Sequence, residues 1–378
     1  MNGFVCCIAL FFGLVSVGVS QAPTAPSLKT HQVNSDGTIT FRYLNKAAAN
    51  VVLSMDAPEA MFPMVKGADG VWSLTTPKLA PEFYGYAFVV DGVTTLDPYN
   101  AAVRHNFVFL SNNVMLPGQP ARPWELNALP HGRVDRHVYT THVAKHLPLD
   151  QSAYVVYTPP GYDSKRKGGY PVLYLLHGWS DDETGWTEIG RENLILDTLI
   201  SEGKAVPMIV VMPLGYGDLD FVTHGDSVWQ DPVRIDANVA LYSQLLLTEV
   251  LPAVEHEYDV AHGRQNRAIA GLSMGGLESL YVGLNHADQF AYVGGMSSAI
   301  HKLKFDEHLP MLDAKKANLK LLWVACGTGD SLLEPNRAFV GWAKAKGLPV
   351  TAVETPGAHV WPVWRDNLIA LAPLLFRN

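Results

Sequence analysis

Cysteine is nearly absent. The 378 residues hold three, and two of these, Cys6 and Cys7, sit close to the start of the chain. Past that first segment Cys326 stands alone, so an intramolecular disulfide is excluded, and the Cys/His spacings of a structural zinc site are missing too. Cys326 ends the apolar run "LKLLWVACG", where a small buried strand residue is expected. Charge is sparse as well: Asp, Glu, Lys and Arg make up 17% of the chain, the formal net charge is −8, and Lys165-Arg166-Lys167 is the one run of three basic residues. That balance argues against nucleic acid as a partner. No apolar run reaches the ~20 residues needed to span a bilayer. The longest, Phe4 to Val19 in "MNGFVCCIALFFGLVSVGVSQA", is followed by small Ser20 and Ala22 and reads as a secretory leader over residues 1–22, although no Lys or Arg precedes it. The expectation is a secreted or periplasmic protein with no membrane attachment after processing.

What the chain has is apolar mass, 48% of its residues, and a length that favours two domains over one core. Its texture divides accordingly. From 28 to 116, short alternating stretches ("GTITFRYL", "NVVLSM", "GVWSLTT", "YGYAFVVDG") separated by turn residues predict a small all-β, immunoglobulin-like sandwich. Residues 117–133, within "LPGQPARPWELNALPHGR", are proline-rich, lack apolar periodicity and read as a linker. From 134 to 378, continuous apolar strands alternate with helical patterns: "YPVLYLLHG", "ENLILDTLISEG", "VPMIVVMP", "NVALYSQLLLTEVLPAVEHEY" (which Pro252 should bend or break), "RQNRAIAG", "LKLLWVACG", "LPVTAVETPG" and "PVWRDNLIALAPLLF". Repeated βα units of this kind predict a doubly wound α/β sheet covered on both faces.

Into that frame falls "IAGLSMGGLESL". Gly271-Leu272-Ser273-Met274-Gly275 fits the G-x-S-x-G turn between a strand and a helix, in which glycines let the backbone reverse sharply and expose the serine hydroxyl. A serine hydroxyl is a poor nucleophile at neutral pH unless a base removes its proton and an acid orients that base. In the α/β-hydrolase fold these follow the serine in the order acid, then histidine, each at a later strand end. Of His286, His301, His308 and His359, only His359 ("VETPGAHVWPVWR") lies in a loop directly after a strand. Asp330, closing "VACGTGD", ends the preceding strand, with Glu334 as a nearby substitute. Ser273, Asp330 and His359 are therefore the expected triad. The oxyanion donors are expected from the backbone of Met274, next to the serine, and of Trp179 in "LLHGWSDDETGW", where His177 is read as packing against the loop. Trp179 and Trp361, each beside a catalytic element, are the candidate substrate-binding aromatics. No metal or organic cofactor is required.

The stretches "LLHGWSDDETGW", "GLSMGG", "CGTGD" and "PGAHVWPVWRDNL" resemble the esterase D group of carbohydrate esterase family 1, which includes feruloyl, acetyl xylan and enterochelin esterases and the mycolyltransferases. The resemblance covers about two thirds of the chain and implies an α/β-hydrolase fold with Ser273, Asp330 and His359 in the triad roles. The amino-terminal part is similar to a family 48 carbohydrate-binding module through "GVWSLTT", "YGYAFVVDG" and "DPYN". An acidic, exported chain departs from the siderophore esterases. Together these resemblances imply a secreted hydrolase of feruloyl or acetyl esters on plant cell-wall polysaccharide, with a mycolyltransferase-like acyltransferase and a non-catalytic carbohydrate-binding protein as the rival readings.

Overall fold

The computed structural model describes residues 28–310 and 312–377. The expected leader and its two cysteines lie outside the described residues.

The amino-terminal alternation becomes two antiparallel sheets. One pairs His31–Val33, Ile39–Leu44, Val71–Thr75 and Val65–Lys66; the other pairs Glu59–Pro63, Val51–Asp56, Glu82–Val90, Ser111–Leu116 and Val103–Arg104, with Val93–Thr95 added to Glu82–Val90. In Ile39–Leu44 and Val51–Asp56 buried residues alternate with more exposed ones, as the two-residue period of a strand requires. Ile39, Phe41, Val51, Leu53, Tyr86 and Phe88 are among the side chains from both sheets that meet in a single core.

The proline-rich stretch after residue 116 has no regular structure before Arg133, but it is not a free tether. Trp124 is completely buried against the second domain, Pro123 O accepts from Thr198 Oγ at 3.1 Å, and the Asp197 carboxylate takes both His131 Nδ1 and the Gly132 amide at 2.9 Å.

The second domain is built on eight strands: β1 (Arg133–Thr140), β2 (Gln151–Thr158), β3 (Val172–Leu176), β4 (Ile209–Pro213), β5 (Arg267–Leu272), β6 (Tyr292–Met296), β7 (Leu321–Gly327) and β8 (Val350–Thr355). Their order in the sheet is β1-β2-β4-β3-β5-β6-β7-β8. β1 and β2 run antiparallel to their neighbours and the rest are parallel. Helices cover both faces, which is why β3, β4, β5 and β6 are apolar along nearly their whole length. Along β3, Val172, Tyr174 and Leu176 enter the core shared with helices Pro232–Leu245 and Ser273–Asn285, while Leu173 and Leu175 enter the one shared with Glu192–Ser201 and Trp361–Leu371. The long helix begins at Pro232, behind the Asp231 side chain, which accepts from the Val233 and Arg234 amides. Pro252 does not break it. A π-turn over Leu246–Val250 precedes the proline, and the helix continues as Leu251–Glu257.

Candidate active site

Strand β5 ends at Leu272 and a helix begins at the next residue. A reversal that abrupt puts Ser273 at φ +52°, the left-handed region that a side chain disfavours. The flanking glycines permit it. A Cβ on Gly271 would lie 2.5 Å from Gly275 O, and one on Gly275 would lie 2.4 Å from His177 O. Ser273 thus stands at the carboxyl end of a central strand, where open α/β sheets leave their crevice.

His359 hangs in the loop between β8 and the helix Trp361–Leu371. Its Nε2 lies 3.0 Å from Ser273 Oγ and its Nδ1 2.8 Å from Asp330 Oδ2. The ring stands edge-on to Trp364, with centroids 5.0 Å apart. The Asp330 side chain has no solvent exposure, against 33% for that of His359, and its Oδ1 accepts the Leu332 amide at 2.8 Å. Burial pushes the Asp330 carboxyl up, but the hydrogen bond and charge of His359, with the Leu332 amide and Ser297 hydroxyl, outweigh burial and hold it below the ordinary carboxylate value. An anion facing Nδ1 keeps the ring proton there and leaves Nε2 to accept from the serine.

None of the other candidates joins this hydrogen-bonded chain. Glu334 is exposed and bonded to Arg337, His308 pairs with Asp236, and His286 caps the helix that starts at Ser273. His301 lines the cleft, where burial and the neighbouring Lys302 lower its pKa. Cys326 is buried at the end of β7; burial first and the Asp330 charge second push its thiol up to about 12.

The loop after β3 passes beside the serine, since a Cβ on Gly178 would lie 3.4 Å from Ser273 Cβ. His177 holds this loop, with Nε2 accepting the Gly215 amide and Nδ1 facing Gly178 O, both at 2.8 Å. Among the described residues the Met274 and Trp179 amides donate to no backbone acceptor. The Trp179 ring is fixed by Nε1 donating to Phe221 O at 3.0 Å. Trp361 also lines the cleft but is only 2% exposed and packs edge-on against Trp186 and Trp364. Most of that indole is core.

A cleft of about 1080 Å³ opens over Ser273 and His359. Much of its far wall comes from the amino-terminal domain: Asp56, Tyr86, Arg104, Val108, Phe109 and Leu110 all line it. Phe109, 57% exposed, stands edge-on to Trp179 with centroids 6.4 Å apart. Sequence reasoning missed this wall. Its one signal was "FVFL", residues 107–110, an apolar run placed in a turn-rich stretch. The one cluster with metal-ligand chemistry among the described residues is His146, Asp218 and Asp220, exposed or half-buried. There Asp218 Oδ1 is already occupied by His146 Nδ1 and the Asp220 amide.

Comparison with known proteins bears on this geometry. The Esterase family model, described as "Putative esterase", matches residues 150–375. Over 363 residues the chain is 29% identical to an endo-1,4-beta-xylanase/feruloyl esterase of Xylanibacter ruminicola, an alignment covering 93% of the chain but 46% of that relative. The chain therefore spans less than half of that protein. A solved ferulic acid esterase is 29% identical, with TM-score 0.52 over 65% of this chain and 97% of its own. The enterobactin esterase of Shigella flexneri, 16% identical with TM-score 0.66 over 89% and 92%, shares the fold across the amino-terminal sheets as well.

Proposed function

The chain belongs to the esterase family, and from that premise we propose that it is a secreted serine hydrolase cleaving feruloyl or acetyl esters of plant cell-wall polysaccharide. The observation that carries the reading is the unbroken hydrogen-bond path from Ser273 Oγ through His359 to the buried Asp330, opening on a large cleft. His359 Nε2 takes the Ser273 proton as Oγ attacks the ester carbonyl. The Met274 and Trp179 amides hold the oxyanion, and Asp330 orients the imidazole and stabilises its charged form. The sugar alcohol leaves with the proton from His359, and water, activated by the same imidazole, releases the acid from the acyl-enzyme. Trp179, at the cleft wall, contacts the substrate together with the reachable edge of Trp361.

The feruloyl or acetyl xylan assignment is supported by the xylanase and feruloyl esterase names of the relatives, and export by the composition of the leader. The amino-terminal sheets, sharing one core, fit an immunoglobulin-like sandwich of the family 48 carbohydrate-binding kind, which would hold the polymer near the cleft. The test is acid release from p-nitrophenyl acetate, methyl ferulate and feruloylated arabinoxylan by the processed protein and by Ser273→Ala. Ferulate release that the substitution abolishes is the expected result; a folded protein inert on every ester overturns the reading. Similarity to a mycolyltransferase of Mycobacterium leprae, 34% identical over 133 residues covering 34% of this chain and 36% of that one, makes an added carbohydrate acceptor a useful further arm. An acylated sugar in place of free acid would mean acyl transfer.

A further inference from the structure

The turn that carries the Trp179 amide is strained and is held from the other domain. Gly178 O accepts the Asp181 amide at 3.2 Å, closing a β-turn whose third residue, Ser180, has φ +76°. That position ordinarily calls for glycine. A serine can relax only by changing its φ, and whatever part of that change the turn takes up on its Gly178–Trp179 side would shift the Trp179 amide relative to Ser273. The second domain holds the near side of the turn through His177 at Gly178 O and Phe221 O at the Trp179 ring, and the far side through Tyr216, whose Oη accepts the Ser180 amide at 2.8 Å and donates to Asp181 O at 3.1 Å.

The remaining side-chain and interdomain hydrogen bonds on Ser180 and Asp181 come from the amino-terminal domain, from Arg104 and the segment between it and strand Ser111–Leu116. Asn106 Nδ2 donates to Ser180 Oγ at 3.1 Å and to Asp181 Oδ1 at 2.8 Å, and the Phe107 amide donates to Ser180 O at 2.7 Å. Arg104 Nη2 lies 3.2 Å from the same Asp181 oxygen. The Asn106 amide is itself fixed, because its Oδ1 accepts the Val108 and Phe109 amides at 2.9 and 2.8 Å. Donor and acceptor capacity of the side chain are both committed.

We infer that Asn106 is a positioning residue for ester cleavage: through Ser180 and Asp181 it locks the strained turn that aims the Trp179 amide at the oxyanion. The all-β domain is then part of the catalytic apparatus, beyond any role in holding polymer. The inference rests on the proposed oxyanion role of Trp179. Since oxyanion donors act on the transition state more than on bound substrate, the loss should fall on kcat.

The experiment compares wild type, Asn106→Ala, Asn106→Asp and Asn106→Ala/Ser180→Gly in the full chain on p-nitrophenyl acetate, whose small acyl group makes little use of the outer wall. Asn106→Ala should lower kcat about tenfold, a fraction of the ~10²–10³ seen when a donor is removed outright, with KM within about twofold. Asn106→Asp, which keeps the acceptor oxygens but puts a second carboxylate against Asp181, should be at least as impaired. Adding Ser180→Gly to Asn106→Ala removes the left-handed penalty and should recover most of the lost kcat. Unchanged kcat in both single variants overturns the inference. So does a loss that tracks reduced thermal stability and that Ser180→Gly fails to rescue, because the role would then be structural only. Ser273→Ala, run in parallel, separates these outcomes from failure of the hydrolase reading: if it retains turnover, the serine mechanism is wrong whatever Asn106 does.

Discussion

At the scale of single residues, the site depends on one buried carboxylate. Asp330 has traded water for a histidine, a backbone amide and a hydroxyl, and the trade leaves it easier to ionise than an ordinary aspartate. Its folded-state pKa is depressed, so its contribution to stability is complete above the unfolded value of about 4 and is lost as pH falls through the folded value. Asp330→Asn should abolish that acid-side loss, visible as a flatter dependence of urea midpoint on pH below about 4. The same change leaves the geometry nearly isosteric but favours the wrong imidazole tautomer, and kcat should fall by roughly 10³–10⁴. Steady-state kinetics near neutral pH would check this, and a variant within tenfold of wild type would contradict the role given to Asp330. Ser273, at φ +52°, carries the opposite kind of burden, local strain of ~1–3 kcal/mol that the surrounding turn must sustain.

Elements sustain it, and here glycines act as clearances between backbones. Gly275→Ala would thrust a methyl to 2.4 Å from His177 O and 2.7 Å from the Leu176 carbonyl carbon, neither of which can swing aside as a side chain could. The expected cost is about 1–3 kcal/mol of stability. Displacing the serine by ~1 Å should cost roughly 10²-fold in turnover; a melting curve and an ester assay on the same preparation would measure both. Such local rules made much of this molecule legible. The G-x-S-x-G spacing and the strand-end positions of Asp330 and His359 pointed to three residues that the structure brings into one hydrogen-bonded chain. The continuous apolar runs located β3, β4, β5, β7 and β8. Strand β6, "YVGGM", was invisible because its two glycines erase the β-branched signal; Gly294 lies where a side chain would crowd Ala270. Neither β1, whose exposed residues alternate weakly, nor β2 beside it stands out in the sequence. The long helix starts at Asp231-Pro232, a sound capping signal that lies ahead of the apolar run beginning at Asn238. Pro252 misled because a π-turn absorbs it, something no local pattern announces.

At the scale of the whole molecule, the parts meet at Arg365. Completely buried, it donates to Ile189 O at 2.7 Å in the second domain and to Phe83 O at 2.9 Å in the first, faces the Glu82 carboxylate at 2.9 Å, and lies 5.6 Å above the Trp124 ring of the connecting stretch. Arg365→Ala would strand Glu82, a carboxyl that burial already pushes up. Breaking a buried pair from one side costs about 3–5 kcal/mol. Equilibrium urea unfolding should show that loss, and limited proteolysis should cut first between residues 117 and 133; a variant as stable and as resistant as wild type would mean the junction is held by its apolar contacts alone. None of this was legible in the sequence, which placed Arg365 in a motif but gave no sign that its partners lie 282 residues away in the chain.

The shared cleft constrains how this architecture can be inherited. A binding module that merely tethers an enzyme to its polymer can be shuffled between genes like a cassette, keeping its own specificity and leaving the enzyme's untouched. Here Asp56, Arg104 and Phe109 face the same space as Ser273 and His359. Recombination that replaced the first domain would also replace one wall of that cleft. The two domains should therefore travel together through descent, and drift in residues 103–111 should retune the choice of substrate even while every residue of the esterase sheet stays fixed.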